Sequence, residues 1–406
     1  MTAEAAAVVG ARGTSQRAVL AVLYAGTAAV YADMYIAQPI LPLLSRAFAI
    51  RPATAGLSVS VVVLAIALAS SVYGLLSDTV GRKSVMVWSC LLLTIPTLLC
   101  AVAPSFPLLL LARGVQGLLI PGLSGVAVAY LGDRFSGAEL GGVVGRYVGA
   151  SVAGSLTGRV LSGFVADHFS WRAPFAAFAV VTLVAAVAMA RVLPQDRIVG
   201  TVQWRGAYGG MFNHFRNRQL LGAFLIGGTL FFAYIGIFTY LPYYLIGAPF
   251  HLSTGLVSSV YIVYLTGVIT SPLAGRLAHR MTRPAILAMG MVIAGIGIAG
   301  TLVVSLPVIV VSLIVLCGGM FVAQSTAPTF VNLTAREAKG SASALYLAFY
   351  YTGATFGSVL PGFAWQAWGW PGVTITCGVS LGFGLLADWL LCRGQRNENE
   401  ERFTVT

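Results

Sequence analysis

The sequence predicts an all-α membrane protein of twelve transmembrane helices, arranged as two six-helix halves. Three observations carry this. Charge is scarce: 58% of residues are hydrophobic and 9% are charged, with a mean hydropathy of +0.88. Apolar stretches of spanning length recur along the chain. The halves also repeat one another at an offset near 200 residues.

The scarcity of charge decides the solvent. A soluble domain carries about 25% charged residues. A 406-residue chain with so few cannot cover a water-facing surface, so lipid must surround much of it. A spanning helix needs ~20 mostly apolar residues. Such stretches fall at 18–43, 54–77, 84–103, 106–131, 141–166 and 173–193, and again at 219–246, 255–278, 285–304, 308–332, 341–366 and 372–392. They are helices because an open sheet in lipid leaves backbone groups unpaired. Barrel strands would show short alternating segments instead. Residues 1–17 lack the apolar core of a signal peptide, so the first span is expected to direct insertion.

Orientation follows from Lys and Arg. With the N-terminus inside, 18 of the 24 basic residues fall on the cytoplasmic side. Only Arg46, Arg51 and Arg172 fall outside, and Arg113, Arg146 and Arg159 lie within or at the ends of spans. Both termini are therefore expected in the cytoplasm. The net charge of +12 is read as topology and contact with lipid headgroups, not as nucleic-acid binding.

Enzyme chemistry finds no support. Cys90, Cys100, Cys317, Cys377 and Cys392 all fall in expected spans without metal spacing, as small packing residues do. His168, His214, His251 and His279 lie in loops or span ends. No phosphate-binding loop is present, and no Ser or Cys sits near a His in a catalytic arrangement. The sequon at Asn332 falls at a cytoplasmic helix end and is read as chance. No metal and no cofactor is expected.

The longest polar interruption divides the chain into 1–193, a linker at 194–218, and 219–406. Gly154, Gly158, Gly163, Phe164 and Trp171 recur 199 residues later as Gly353, Gly357, Gly362, Phe363 and Trp370. Gly74 and Arg82 recur as Gly275 and Arg283, and Pro42 as Pro242. Matches in three places at nearly one offset point to duplication. Two similar bundles can rock about a site near the midplane, which is alternating access.

The loop between the second and third spans reads Gly74-Leu-Leu-Ser-Asp78-Thr-Val-Gly81-Arg82-Lys83. Its plain reading is a positive-inside loop. It resembles the signature Gly-x-x-x-Asp-x-x-Gly-Arg-Lys of the major facilitator superfamily, complete at the fixed positions. The second copy, Gly275 to Arg283, is degenerate, with His279 in place of Asp. The resemblance implies that Asp78 pairs with Arg82, faces the eleventh helix near Ser341, and holds the cytoplasmic side shut. The fourth span carries Arg113-Gly-Val-Gln116-Gly117, similar to the family's Arg-x-x-Gln-Gly motif. The fifth carries Gly149, Gly154, Gly158 and Gly163, similar to a glycine motif of drug/proton antiporters. Arg159 stands there in place of the usual Pro, and Ser162 in place of a Gly. Pro39 and Pro42 resemble the end of the antiporters' first span, and a bent first helix can form part of an outer gate.

An acid inside a span is a functional candidate. Asp33 lies about ten residues from the outer end of its span, at a depth similar to Arg113. Low dielectric and a nearby guanidinium pull the charge of such an acid in opposite directions. Three readings stand: proton coupling at Asp33 with Arg113, a static ion pair, or an interfacial acid. Arg159 either binds an anionic or zwitterionic substrate or pairs structurally with Asp33, carbonyls or lipid phosphate. Tyr31, Tyr35, Gln38, Tyr234, Phe238, Gln324, Tyr346 and Tyr350 are candidate walls of a substrate cavity, together with Tyr240, Tyr261 and Tyr264. The whole-chain resemblance implies a major facilitator fold and a proton-driven exporter of a small drug-like or metabolite molecule in a bacterial inner membrane, with a monomer as the default expectation. Import with protons and anion or zwitterion uniport or exchange stand as alternatives.

Overall fold

The computed structural model describes residues 15–194, 211–335 and 339–392. These residues are helical or lie in short connections, with no strand among them. In chain order the helices are α1 (Gln16–Tyr35), α2 (Leu41–Ala47), α3 (Pro52–Val80), α4 (Arg82–Val102), α5 (Phe106–Leu119), α6 (Pro121–Ser124), α7 (Ala127–Gly132), α8 (Gly137–His168) and α9 (Ala173–Val192). Then follow α10 (Arg218–Ile246), α11 (Thr254–Ser259), α12 (Thr266–Leu277), α13 (Arg283–Gly300), α14 (Leu306–Thr334), α15 (Lys339–Gly357) and α16 (Leu360–Ala387).

Prolines and glycines account for most of the breaks. Pro39 has no N–H to offer the Tyr35 carbonyl, so α1 ends at Tyr35 and residues 36–40 form turns before α2. Pro121 interrupts the fourth span, so that α5, α6 and α7 follow one another from Phe106 to Gly132. A 3₁₀ stretch, Val260–Leu265, joins α11 to α12. Gly81 takes φ 97 between α3 and α4, a left-handed conformation that costs glycine nothing.

Among the described residues, eleven helical stretches are long and apolar enough to cross a membrane. The difference from twelve arises at the end of the chain. There the expected spans 341–366 and 372–392 fall on α15 and α16, and α15, rich in Ser, Gly and Tyr, is not among the eleven. Gly369, at φ 62 and ψ −143, breaks α16 between those two expected spans.

Packing divides the chain into two compact units, Met1–Ala37 with Leu68–Val202 and Gln38–Ala67 with Gln203–Thr406. The segment 38–67 therefore packs with the second unit, although its sequence position lies in the first half.

Each unit contains the same close helix pair. In the first, a Cβ on Gly154 would lie 2.2 Å from the Ala28 carbonyl oxygen, and one on Gly158 would lie 2.5 Å from that of Ala32. In the second, a Cβ on Gly353 would lie 1.9 Å from the Gly228 oxygen, and one on Gly357 would lie 2.3 Å from that of Phe232. Hence α1 meets α8 as α10 meets α15, backbone against backbone, at positions offset by 199 or 200 residues. Small residues permit this approach in lipid.

Candidate functional site

The first unit holds a buried polar group assembled from α1, α4, α5 and α9. Asp33 is fully buried near the end of α1. Its Oδ2 accepts a hydrogen bond from the Thr182 hydroxyl on α9 over 2.6 Å. Its Oδ1 has no hydrogen-bond partner among the described residues.

Arg113, on α5, is also fully buried. Its Nη1 donates to the Asp33 main-chain oxygen at 3.1 Å and to Gln116 Oε1 at 2.8 Å. Its Nη2 donates to the Met34 main-chain oxygen at 2.8 Å. The last carbonyls of a helix lack intrahelical partners, and a cation suits the negative end of the helix dipole. Arg113 thus caps α1 where Pro39 breaks it. Besides these backbone hydrogen bonds, the Arg113 guanidinium acts electrostatically on the Asp33 carboxyl, whose hydrogen bond is to Thr182.

Gln116 completes this arrangement. Its Nε2 donates to Thr97 Oγ1 at 2.7 Å, and Thr97 donates in turn to the Leu93 carbonyl at 2.8 Å. Cys100 Sγ lies 3.7 Å from Gln116 Oε1. The Arg-x-x-Gln-Gly spacing therefore places Arg113 and Gln116 on one face of α5, one turn apart. Gly117 is buried beside them.

Arg159 is buried on α8, with its guanidinium 3.5 Å from the centre of the Tyr35 ring. Its Nη1 donates to the Ser155 carbonyl of its own helix at 3.0 Å. A desolvated cation over an aromatic face is worth about 2 kcal/mol. Of the structural partners weighed for Arg159, a carbonyl is engaged, that of Ser155. Tyr31 and Tyr35 are half-buried on α1.

At the end of α3, Arg82 lies 3.5 Å from Asp78 Oδ1 and 2.5 Å from Asp133 Oδ2. It also donates to the Ala129 carbonyl. Asp133, just beyond α7, carries no mark in the sequence that predicts this contact. Lys83 is half-buried beside Gly81, and Gly163 is buried on α8. Gly74 lies in α3, and its surroundings fall outside what is described.

The second unit gathers the aromatic candidates. Tyr234 and Phe238 of α10 lie 5.2 Å apart, centre to centre, and Tyr264 lies 5.2 Å from Tyr234 and 4.6 Å from Phe238. Tyr346 and Tyr350 of α15 are 5.9 Å apart. Gln324 of α14 donates to the Tyr350 hydroxyl at 2.6 Å. Phe231, stacked on Tyr350 at 3.7 Å, and Phe321, 6.2 Å from Tyr234, join this cluster without having been singled out in the sequence. Gln38, placed with the cavity aromatics, belongs to this unit and donates to Thr239 Oγ1 at 3.3 Å. The segment 38–67 docks further through Ser45, whose Oγ is 2.6 Å from Tyr243 Oη, and Ser60, whose Oγ is 2.5 Å from Ser358 Oγ. Among the described residues no group of His, Cys, Asp and Glu could hold a metal ion.

Sequence reasoning missed Thr182, although a signal for it exists: it is the sole hydroxyl-bearing residue of α9. Asp133 has no comparable mark, because acids at helix ends are common.

Comparison with known proteins fits this architecture. The profile of the Major Facilitator Superfamily matches residues 23–337 and 246–404. The chain is 33% identical to YybF of Bacillus subtilis (strain 168), an uncharacterized MFS-type transporter, over 89% of each chain. It is 33% identical to the inner membrane transport protein YnfM of Escherichia coli (strain K12), covering 94% of this chain and 92% of that one. Among solved structures, a bacterial homologue of the human lysosomal transporter Spinster superposes with a TM-score of 0.79 at 15% identity, over 95% of this chain and 100% of that one. A D-xylose–proton symporter gives 0.74 at 16%, over 93% and 97%. The solved structures share the fold; the profile and the relatives establish that this chain belongs to the Major Facilitator Superfamily of membrane transporters.

Proposed function

We propose that this transporter exports a small drug-like or metabolite molecule in exchange for protons, with Asp33 as the proton site. One observation carries the reading. Asp33 is an acid buried inside the first span; one carboxyl oxygen accepts a hydroxyl, the other has no hydrogen-bond partner among the described residues, and a buried guanidinium bonds the backbone beside it. A buried carboxylate without full pairing is costly, so its charge is expected to follow hydration and proton supply. Such a group can bind a proton while facing one side and release it on the other.

The energetics suffice. A potential of 100 mV gives about 2.3 kcal/mol per charge, which supports a gradient of roughly forty-fold per proton. In the proposed cycle, Asp33 takes a proton outside as substrate leaves, the Asp78 and Arg82 contacts loosen, and the cavity opens inward. Substrate binding then favours proton release to the cytoplasm. The setting is a bacterial inner membrane, with the termini cytoplasmic and the protein monomeric.

A second reading rests on Arg159. It places a second buried cation in the first unit, behind Tyr35, which favours an anionic or zwitterionic substrate moved by uniport, exchange or import with protons. One experiment separates the readings. Purified protein in liposomes with an entrapped pH dye is screened against drugs, sugars, amino acids and organic acids, with Asp33→Asn alongside. Substrate-dependent proton movement opposite to substrate, lost in Asp33→Asn, is expected. Substrate flux without proton movement, unchanged in the variant, would overturn the role of Asp33.

A further inference from the structure

We infer that Thr182 is the positioning residue of the proton site: its hydroxyl holds one oxygen of the Asp33 carboxyl and leaves Oδ1 as the atom that gains and loses the proton. This rests on the reading of Asp33 given above and goes one residue beyond it.

Three observations meet on Thr182. The first is the hydrogen bond itself, 2.6 Å between two side chains that are both almost wholly buried. The second is the company Thr182 keeps. From Ala173 to Ala190, α9 contains Ala, Val, Phe, Leu, Met and Pro, and Thr182 alone can donate from a side chain. It faces Asp33 on a continuous stripe. Seven residues away on each helix, and in antiparallel order, a Cβ on Gly26 would meet Met189 Sδ at 2.6 Å. The register therefore puts one hydroxyl opposite one acid.

The third observation is where that hydroxyl goes. A threonine in a helix ordinarily donates to the carbonyl one turn back. Thr27, Thr97, Thr270 and Thr326 do this in the present structure, to Leu23, Leu93, Thr266 and Val322. Thr182 turns away from its own helix and crosses to Asp33. Packing alone would be served as well by valine, which has the same shape.

The consequence is chemical. Thr182 donates to Oδ2, and Oδ1 accepts nothing from the described residues. The incoming proton is therefore directed to Oδ1. A hydroxyl that donates to the carboxylate favours the ionised form, so its loss moves proton release to higher pH. Among the described residues the other titratable or charged groups that act on Asp33 are Arg113 on α5 and Cys90 and Cys100 on α4; Tyr31 and Tyr35 flank it in sequence on α1, and Arg159 of α8 lies over the Tyr35 ring. Neither α6 nor the facing part of α9 adds one.

The test needs no substrate. Purified full-length protein in lipid vesicles is titrated by infrared difference spectroscopy, following the carboxyl C=O stretch, and the Asp33 band is identified by its absence in Asp33→Asn. In Thr182→Val the midpoint is expected to rise by about one pH unit, the scale of one hydrogen bond to a charged group. The band should move to the frequency of a less hydrogen-bonded acid. Thr182→Ser should restore both, and Thr182→Ala serves as a second hydroxyl-free variant if valine impairs folding. A titrating Asp33 band that is the same in wild type, Thr182→Val and Thr182→Ala would overturn the inference and leave the proton site standing. No titrating band in the wild type would overturn both.

Discussion

Arg113 Nη2 donates to the main-chain oxygen of Met34 over 2.8 Å, so a buried cation of the first unit holds the end of α1 one residue beyond the Asp33 carboxyl. This places Asp33 by the backbone. If α1 shifts at its broken end, Arg113 must shift with it.

Replacing Arg113 tests that relationship. Lysine keeps the charge but lacks the planar fork that reaches two carbonyls and Gln116 together. Each buried oxygen left without its donor costs about 1–3 kcal/mol. Arg113→Lys is expected to lower the melting temperature of the purified protein and to cut transport at least tenfold. A lysine variant that melts and transports like the wild type would show that the cap has no role.

The glycine contacts give a sharper contrast. A Cβ on Gly154 would lie 2.2 Å from a backbone oxygen of α1, so Gly154→Val must push two helices apart. Overpacking of this kind costs typically about 1–3 kcal/mol. At Gly141, on the same helix, a Cβ would meet nothing within 4 Å, so Gly141→Ala should be neutral. Gly353→Val should repeat the Gly154 result in the second unit, because the contact is duplicated there. Thermal melting of the three variants in one detergent checks all of this, and equal effects at 141 and 154 would contradict the close contact.

Arg82 is shared between Asp78 and Asp133. Both acids are nearly half exposed, so each pair contributes less than about 1 kcal/mol and is screened by salt. Asp133→Asn is therefore expected to leave melting almost unchanged. Its effect should appear in transport, and there it should be less than additive with Asp78→Asn, because both acids use one guanidinium. Strict additivity in transport rates at low salt would separate the two acids.

What the sequence made legible follows from the strength of each physical constraint. The spans were readable because lipid allows few alternatives to an apolar helix, and the Gly154 and Gly353 contacts because duplication printed them twice. Arg113 and Gln116 were readable because a charge inside a span is rare. The partner of Asp33 was not. A sequence shows depth along each helix but not rotation about it, so Arg113 was in view at the depth of Asp33 while Thr182 of α9, whose hydroxyl meets the carboxyl, was not. Asp133 was hidden for the opposite reason: near the surface an acid costs little, and nothing marks it. The placement of 38–67 in the second unit was also out of reach, since it depends on which helices meet and not on what each one is.

The segment 38–67 supplies the last prediction. A Cβ on Gly56 would lie 2.1 Å from the Ser358 carbonyl oxygen, and the same oxygen accepts the Tyr240 hydroxyl at 2.8 Å. One turn further along α3, Ser60 Oγ reaches the Thr355 carbonyl at 2.6 Å and Ser358 Oγ at 2.5 Å. The first half of α3 is thus seated on the end of α15 with no room for a methyl group. Backbone cannot yield as a flexible side chain can, so Gly56→Ala has to lift α3 and weaken the neighbouring hydrogen bonds. If alternating access requires this seat to open, the variant should favour the open arrangement. Ala53 reports on that opening: it is buried, and a Cβ on Gly362 would lie 2.6 Å from its Cα. A single cysteine at position 53, in a background with the five native cysteines replaced, should react slowly with a membrane-impermeant maleimide when Gly56 is present. With Gly56→Ala the rate should rise about tenfold, the change that roughly 1.4 kcal/mol produces in an opening equilibrium. An unchanged labelling rate, in protein that still folds, would mean that this contact is static packing and that the seat does not open.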